Sequence, residues 1–239
     1  MPRRAVLFGA GGGIGAALGG ALTADPAYGE VWLGARSALP EPASPKVRTF
    51  RFDSDDEASL AATAQAIGGE LDLVFVATGL LHRDGLPSPE KSYRSLDPAA
   101  MAELYRANTI GPAMIAKHFL PLLPRSRRAV FAVLSARVGS IGDNRLGGWH
   151  SYRAAKAALN MLVQNFAIEL GRSHPQAVVA ALHPGTVDTP LSRPFQRGLP
   201  EGQVQDADAA AKALLATLAQ LTPAQSGGLY AWDGTRLPW

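Results

Sequence analysis

The sequence predicts an α/β fold: a single doubly wound parallel sheet of about seven strands with helices on both faces, spanning residues 1–239. Three observations predict it. Short apolar runs alternate with longer helical stretches along the chain. Those runs show no polar alternation, as expected of strands covered on both faces. The residues with chemical potential fall at or just beyond the ends of the runs, where open parallel sheets bind ligands.

The elements follow in order. Arg4–Phe8 reads as a buried strand, and the Ala/Leu-rich stretch Ile14–Ala24 as the first helix. Val31–Ala35 and Val47–Phe52 are the next strands, joined by a Pro-rich surface loop at Leu39–Pro45. Helix Ala58–Ile67 leads to strand Leu71–Ala77, helix Pro98–Phe119 to strand Ala129–Leu134, and helix Ser151–Gly171 to strand Val178–His183. Pro184–Gly202 reads as an active-site lid, and helix Asp206–Leu221 precedes a last, weakly marked strand at Gly228–Ala231. No internal repeat, linker or second domain is evident.

Composition removes several function classes. With 47% hydrophobic and 18% charged residues the chain can bury a large core. A net charge of +3 is too small to argue for nucleic acid, and Arg125-Ser126-Arg127-Arg128 reads as a solvated loop. The absence of cysteine excludes disulfides, thiolate metal sites and a Cys nucleophile, and fits a reducing cytoplasm. His82, His118, His150, His174 and His183 show no ligand spacing, so no metal is expected. Pro2-Arg3-Arg4 and the apolar stretch behind it imitate a secretory signal, but cleavage there would remove the first strand and its glycine loop. The expectation is an uncleaved chain with no membrane span.

Two stretches carry chemistry. Gly9-Ala10-Gly11-Gly12-Gly13-Ile14-Gly15 lies between the first strand and the first helix. Glycines there let the backbone approach a pyrophosphate, while the helix N-terminus offers N–H groups and a positive dipole end. Further on, Tyr152 and Lys156 lie four apart on one helical face. An ammonium beside a phenol favours the phenolate, and lowering its pKa by about three units corresponds to roughly 4 kcal/mol, enough to make it an acid or base near neutrality.

Gly9-x-x-x-Gly13-x-Gly15 with Tyr152-x-x-x-Lys156 resembles the short-chain dehydrogenase/reductase family. Asp53, Ala77-Thr78-Gly79, Asn108, Pro184-Gly185 and Thr189 match in the family's order, so the resemblance covers essentially the whole chain. Ser135-Ala136-Arg137-Val138-Gly139-Ser140-Ile141, Gly147-Gly148-Trp149 and Asp233-Gly234…Pro238-Trp239 look like the C-factor-like carbonyl reductases within it. The resemblance implies a Rossmann-type domain binding a dinucleotide through Gly9, Gly11, Gly13, Ile14, Gly15, Arg36, Ser37, Asp53, Ala77, Thr78, Gly79, Asn108, Tyr152, Lys156, Pro184, Gly185, Val187 and Thr189. It implies Tyr152 as general acid, Lys156 as the group that tunes it and binds the nicotinamide ribose, and Asn108 as a helix-kinking residue in a proton relay. A homodimer or homotetramer is implied as well.

Cofactor choice is read from one position. An acidic residue about 20 positions past the last glycine binds the ribose 2′-hydroxyl in such folds. Counting from Gly15 reaches Ala35, with Arg36-Ser37 following and no carboxylate. A guanidinium can clamp a 2′-phosphate that a carboxylate would repel, so NADP(H) is favoured over NAD(H). Asp53 resembles the family's adenine-binding aspartate; the alternative is a helix N-cap.

The pattern departs from the family at the carbonyl-polarising serine, where Leu134-Ser135-Ala136 places alanine. Ser135 is slightly preferred as its replacement because a rigid strand end holds it, with Ser140 in the following loop as the alternative. Leu80, Leu81, Trp149, His150 and Leu191–Leu199 are expected to line the pocket, suggesting a small, fairly apolar carbonyl or alcohol substrate. The expected activity is NADPH-dependent carbonyl reduction. The alternative is an NADP(H)-binding signalling or scaffold protein with little turnover.

Overall fold

The computed structural model describes residues 2–200 and 202–239. Its strands and helices, in chain order, are β1 (Arg3–Phe8), α1 (Gly13–Ala24), β2 (Tyr28–Ala35), β3 (Val47–Arg51), α2 (Glu57–Ile67) and β4 (Leu73–Val76). There follow α3 (Pro98–Tyr105), α4 (Gly111–Phe119), β5 (Ala129–Leu134), α5 (His150–Gly171), β6 (Ala177–His183), β7 (Thr186–Val187), β8 (Val204–Gln205), α6 (Ala207–Gln220), β9 (Leu229–Ala231) and β10 (Arg236–Leu237). The main sheet has eight strands in the order β10-β9-β6-β5-β4-β1-β2-β3. All its pairings are parallel except the edge pair β9–β10.

Every residue of β4 and β5 is buried, and most of β6. Two apolar cores account for this. On one face Leu60, Ile115, Phe119, Leu159 and Val163 from α2, α4 and α5 pack against the sheet. On the other, Leu18 and Leu22 of α1 join Leu214 and Leu218 of α6. Side-chain caps start three helices: Asp56 accepts from Ser59 N, Asp97 from Ala100 N, and Asp206 from Asp208 N and Ala209 N.

Three features go beyond the expected elements. The antiparallel β10 extends the sheet past seven strands, and β7 pairs with β8 in a separate two-stranded ribbon at the base of the Pro184–Gly202 segment. Two-residue strands carry too short a pattern to be read from sequence. The helix expected over Pro98–Phe119 is interrupted at Arg106–Ile110 by a π turn, which separates α3 from α4. Among the described residues no helix is long and apolar enough to cross a membrane.

Candidate active site

The chain crosses from β3 on one side of β1 to β4 on the other, which makes the carboxyl ends of β1 and β4 the switch point of the sheet. Gly9 turns there with φ +93°, and its N–H and that of Ala10 both donate to the Gly34 carbonyl at 2.9 Å. A methyl carbon on Gly15 would overlap the Gly9 carbonyl oxygen, and one on Gly13 would sit 2.7 Å from Thr189 Cγ2. Gly11 lies against Ala35, and Ile14 packs on the core. Helix α1 thus begins after Gly12 with no side-chain cap and no acidic residue in its first turn. A phosphate group suits that start, because the N–H groups and dipole of the first turn meet no competing carboxylate.

Other expected cofactor residues fall just beyond the ends of β2, β3, β4 and β6. Ala77 N donates to Phe8 O at 2.8 Å, which lays Ala77-Thr78 beside Gly9. Gly185 has φ +77°, Pro184 precedes it at the end of β6, and Val187 and Thr189 are buried. Arg36 and Ser37 are exposed just past β2, and Arg51 Nε of the adjacent strand donates to the Arg36 carbonyl at 3.3 Å. Asp53 is exposed past β3 with its Oδ1 accepting from Asp55 N at 3.0 Å. The cap of α2 is Asp56, so Asp53 is not a helix cap.

Tyr152, Lys156 and Asn160 recur at helical spacing along one face of α5, all buried. Lys156 Nζ lies 5.8 Å from the Tyr152 ring centroid and donates to the Leu134 carbonyl at 2.9 Å. The expected lowering of the phenol is absent in the free protein. Burial pushes Tyr152 upward, and burial also brings Lys156 down to about 7. A lysine whose pKa lies near 7 is charged only about half the time at neutral pH, so it lends its neighbour less positive charge. The Tyr152 hydroxyl has no hydrogen-bond partner among the described residues.

Asn108 occupies the π turn, fully buried. Its Nδ2 donates to Leu80 O at 2.7 Å and Leu104 O at 2.9 Å, while Oδ1 accepts from Leu80 N at 3.0 Å. The Leu104 carbonyl lies four residues back, so the amide satisfies an acceptor that the widened turn releases. A methyl carbon on Gly79 would lie 3.4 Å from Asn108 Oδ1 and 3.7 Å from Lys156 Nζ, which places Asn108, Gly79 and Lys156 together. Thr109 Oγ1 donates to Ala155 O at 2.8 Å and ties the turn to α5.

The serine expectation fails on geometry. Ser135 Oγ donates to Asn160 Oδ1 at 2.7 Å inside the core, and it is Ala136 that packs with Tyr152. Successive residues of an extended strand face opposite sides, so the alanine takes the pocket side. Ser140 Oγ accepts from Asp143 N at 3.1 Å and lines an outer groove with Arg153, Ala154 and Ala157. His150 lines that groove too. Around Tyr152 stand Leu80, Leu81, Leu86, Leu104, Ala136, Val138, Trp149 and Phe195.

Two further residues escape sequence reasoning. Glu90 is buried and its carboxylate accepts from Ser151 N at 3.3 Å and from Ser151 Oγ. Nothing in Pro89-Glu90-Lys91 distinguishes it from a surface carboxylate. His183 ends β6 with an unpartnered Nδ1; burial, reinforced by the Arg137 charge, lowers it to about 4.

Residues 3–199 match the short chain dehydrogenase family. The chain belongs to that family. Short-chain dehydrogenases are oxidoreductases that bind nicotinamide cofactors. The chain is 35% identical over 181 residues to a 1-hydroxy-2-glutathionyl-2-methyl-3-butene dehydrogenase of Rhodococcus sp. (strain AD45), covering 76% of this chain and 74% of that protein. It is 33% identical over 145 residues to the C-signal of Myxococcus xanthus, covering 60% of this chain and 81% of the relative. Its fold matches the NADPH-bound carbonyl reductase from chicken fatty liver with a TM-score of 0.83 at 25% identity, over all of this chain and 95% of the other.

Proposed function

We propose that this short-chain dehydrogenase reduces small, fairly apolar carbonyl compounds with NADPH, Tyr152 acting as general acid. The observation that carries the reading is the setting of Tyr152: a buried phenol with an unpartnered hydroxyl, backed by Lys156 and ringed by apolar side chains. The bound cofactor would supply the hydride. Gly9, Gly11, Gly13, Ile14 and Gly15 would hold its pyrophosphate; Arg36 and Ser37 the 2′-phosphate; Asp53 the adenine; and Ala77, Thr78, Gly79, Pro184, Gly185, Val187 and Thr189 the remainder. Tyr152, held protonated by burial, is in the right form to give its proton to a carbonyl oxygen. Lys156 would also bind the nicotinamide ribose, and Asn108 fixes the backbone at Leu80 beside it. Exposed apolar side chains at Ile110, Met161 and Ile168 support a homo-oligomer, and the lack of cysteine supports a cytoplasmic setting.

The test pairs the parent with Tyr152→Phe on a panel of aldehydes and ketones, given NADPH or NADH. NADPH should be the better cofactor for the parent. The variant should still bind NADPH while turnover falls by roughly 10²-fold or more. Turnover within about tenfold of the parent would remove Tyr152 from the chemistry. One observation favours a second reading, an NADP(H)-binding signalling or scaffold protein with little turnover: Ala136 leaves the pocket without the usual second hydroxyl. A parent that binds NADPH yet reduces nothing on the panel would favour it.

A further inference from the structure

Helix α5 carries Tyr152 in its first turn, yet it has no cap of its own. The residue before it, Trp149, makes no capping bond and sits in the left-handed region at φ 49°, ψ 40°. It is the one non-glycine residue with positive φ among the described residues. That conformation strains an aromatic residue, and a glycine there would adopt it freely. Gly147 and Gly148 show that the segment uses glycine where only the turn matters. An indole kept at a strained position points to a role for the indole itself. Its ring meets Tyr152 edge-on at 6.4 Å and Phe195 at 5.0 Å, forming a wall of the pocket.

What holds Trp149 there comes from far along the chain. The Glu90 carbonyl accepts from Trp149 N at 2.5 Å, and its carboxylate accepts from Ser151 N and Ser151 Oγ. Both Glu90 and Ser151 are buried, so each carboxylate oxygen has a partner where water cannot supply one. The charge also sits at the positive end of the long α5 dipole. On the other flank Arg153 Nε donates to Gly148 O at 3.0 Å. Glu90 closes a segment whose Leu86 and Pro89 line an adjoining cavity of about 600 Å³ with Trp149 and Phe195.

We infer that Glu90 is a positioning residue for substrate selection: by clamping the start of α5 it holds the Trp149 indole as the wall against which a bulky carbonyl substrate lies. The inference rests on the reading of Tyr152 as the acid of a carbonyl reductase. It is tested with Glu90→Ala, Glu90→Gln and Ser151→Ala, assayed beside the parent and Tyr152→Phe with propanal and 2-naphthaldehyde.

Glu90→Ala should raise KM for 2-naphthaldehyde about tenfold while kcat on both aldehydes and KM for propanal move less than about threefold. Glu90→Gln keeps one acceptor for Ser151 and should recover most of the loss. Ser151→Ala should raise the naphthaldehyde KM by about threefold, and NADPH affinity should stay within about twofold throughout. An equal loss of kcat on both aldehydes, or a fall in melting temperature with unchanged kinetics, overturns the inference. If Glu90→Ala does not fold, Ser151→Ala decides, and an unchanged naphthaldehyde KM there overturns it. Should the parent reduce neither aldehyde, the reductase reading falls separately. Binding of 2-naphthaldehyde to NADP-loaded protein then takes the place of KM: a roughly tenfold weakening in Glu90→Ala upholds the clamp, and equal binding overturns it.

Discussion

At the scale of residues, the exchange of roles between Ser135 and Ala136 decides the local chemistry. Ser135 donates to Asn160, whose Nδ2 in turn reaches Gly139 O at 3.3 Å, so the hydroxyl serves the junction of β5 with α5. Ser135→Ala would leave Asn160 Oδ1 buried without its donor, at a cost of about 1–3 kcal/mol. The expected outcome is a melting temperature several degrees lower, with turnover close to the parent's. Ala136→Ser adds a hydroxyl on the pocket side beside Tyr152. It should raise kcat roughly tenfold or more, by reversal of the loss seen when a polarising donor is removed. Steady-state assays and thermal melts of the two variants check both outcomes; a large loss of kcat in Ser135→Ala with unchanged stability would restore Ser135 to the reaction.

At the scale of elements, strand ends and helix starts set the site. Strands β2 and β3 run parallel in a register that pairs Ala35 with Arg51. Arg36 therefore leaves β2 beside the last residue of β3, whose Nε donates to the Arg36 carbonyl. Arg36→Asp replaces a cation by a like charge and should weaken NADPH binding at least tenfold, roughly, while NADH binding holds or improves. Fluorescence titration with both cofactors measures it, and an unchanged NADPH affinity would remove Arg36 from the phosphate site. The π turn between α3 and α4 works by the same logic of position. It widens the helix enough for the Asn108 amide to bond the Leu104 and Leu80 carbonyls.

At the scale of the whole molecule, the sheet and its two cores bury ionisable groups that the site needs, and stability carries the cost. Lys156 falls from 10.5 to about 7 because burial opposes its charge. Between those values the unfolded chain binds a proton that the folded chain does not, so stability rises with pH across that window. Below about pH 7 the cost, on the order of a few kcal/mol, is fully present. His183 adds the same sign between about 4 and 6.5. Lys156→Met should therefore melt higher than the parent at pH 6 and lose most of that advantage by pH 10. Equal melting curves at pH 6 would mean that burial does not lower the Lys156 pKa.

The sequence by itself determined the parallel sheet, because apolar runs such as Ala129–Leu134 and the helical periods between them are local patterns that burial on two faces demands. It also determined the glycine loop and the Tyr152–Lys156 pair, since tight approach and shared helical face depend on spacing along the chain alone. It could not decide the direction of Ser135, which turns on how β5 meets Asn160 of α5. It could not decide the charge on Lys156 or the height of the Tyr152 pKa, because desolvation depends on everything packed around them. Glu90 shows the same limit. Its partners Trp149 and Ser151 lie about sixty residues away, and only the tertiary structure brings that carboxylate to the start of the helix that carries Tyr152.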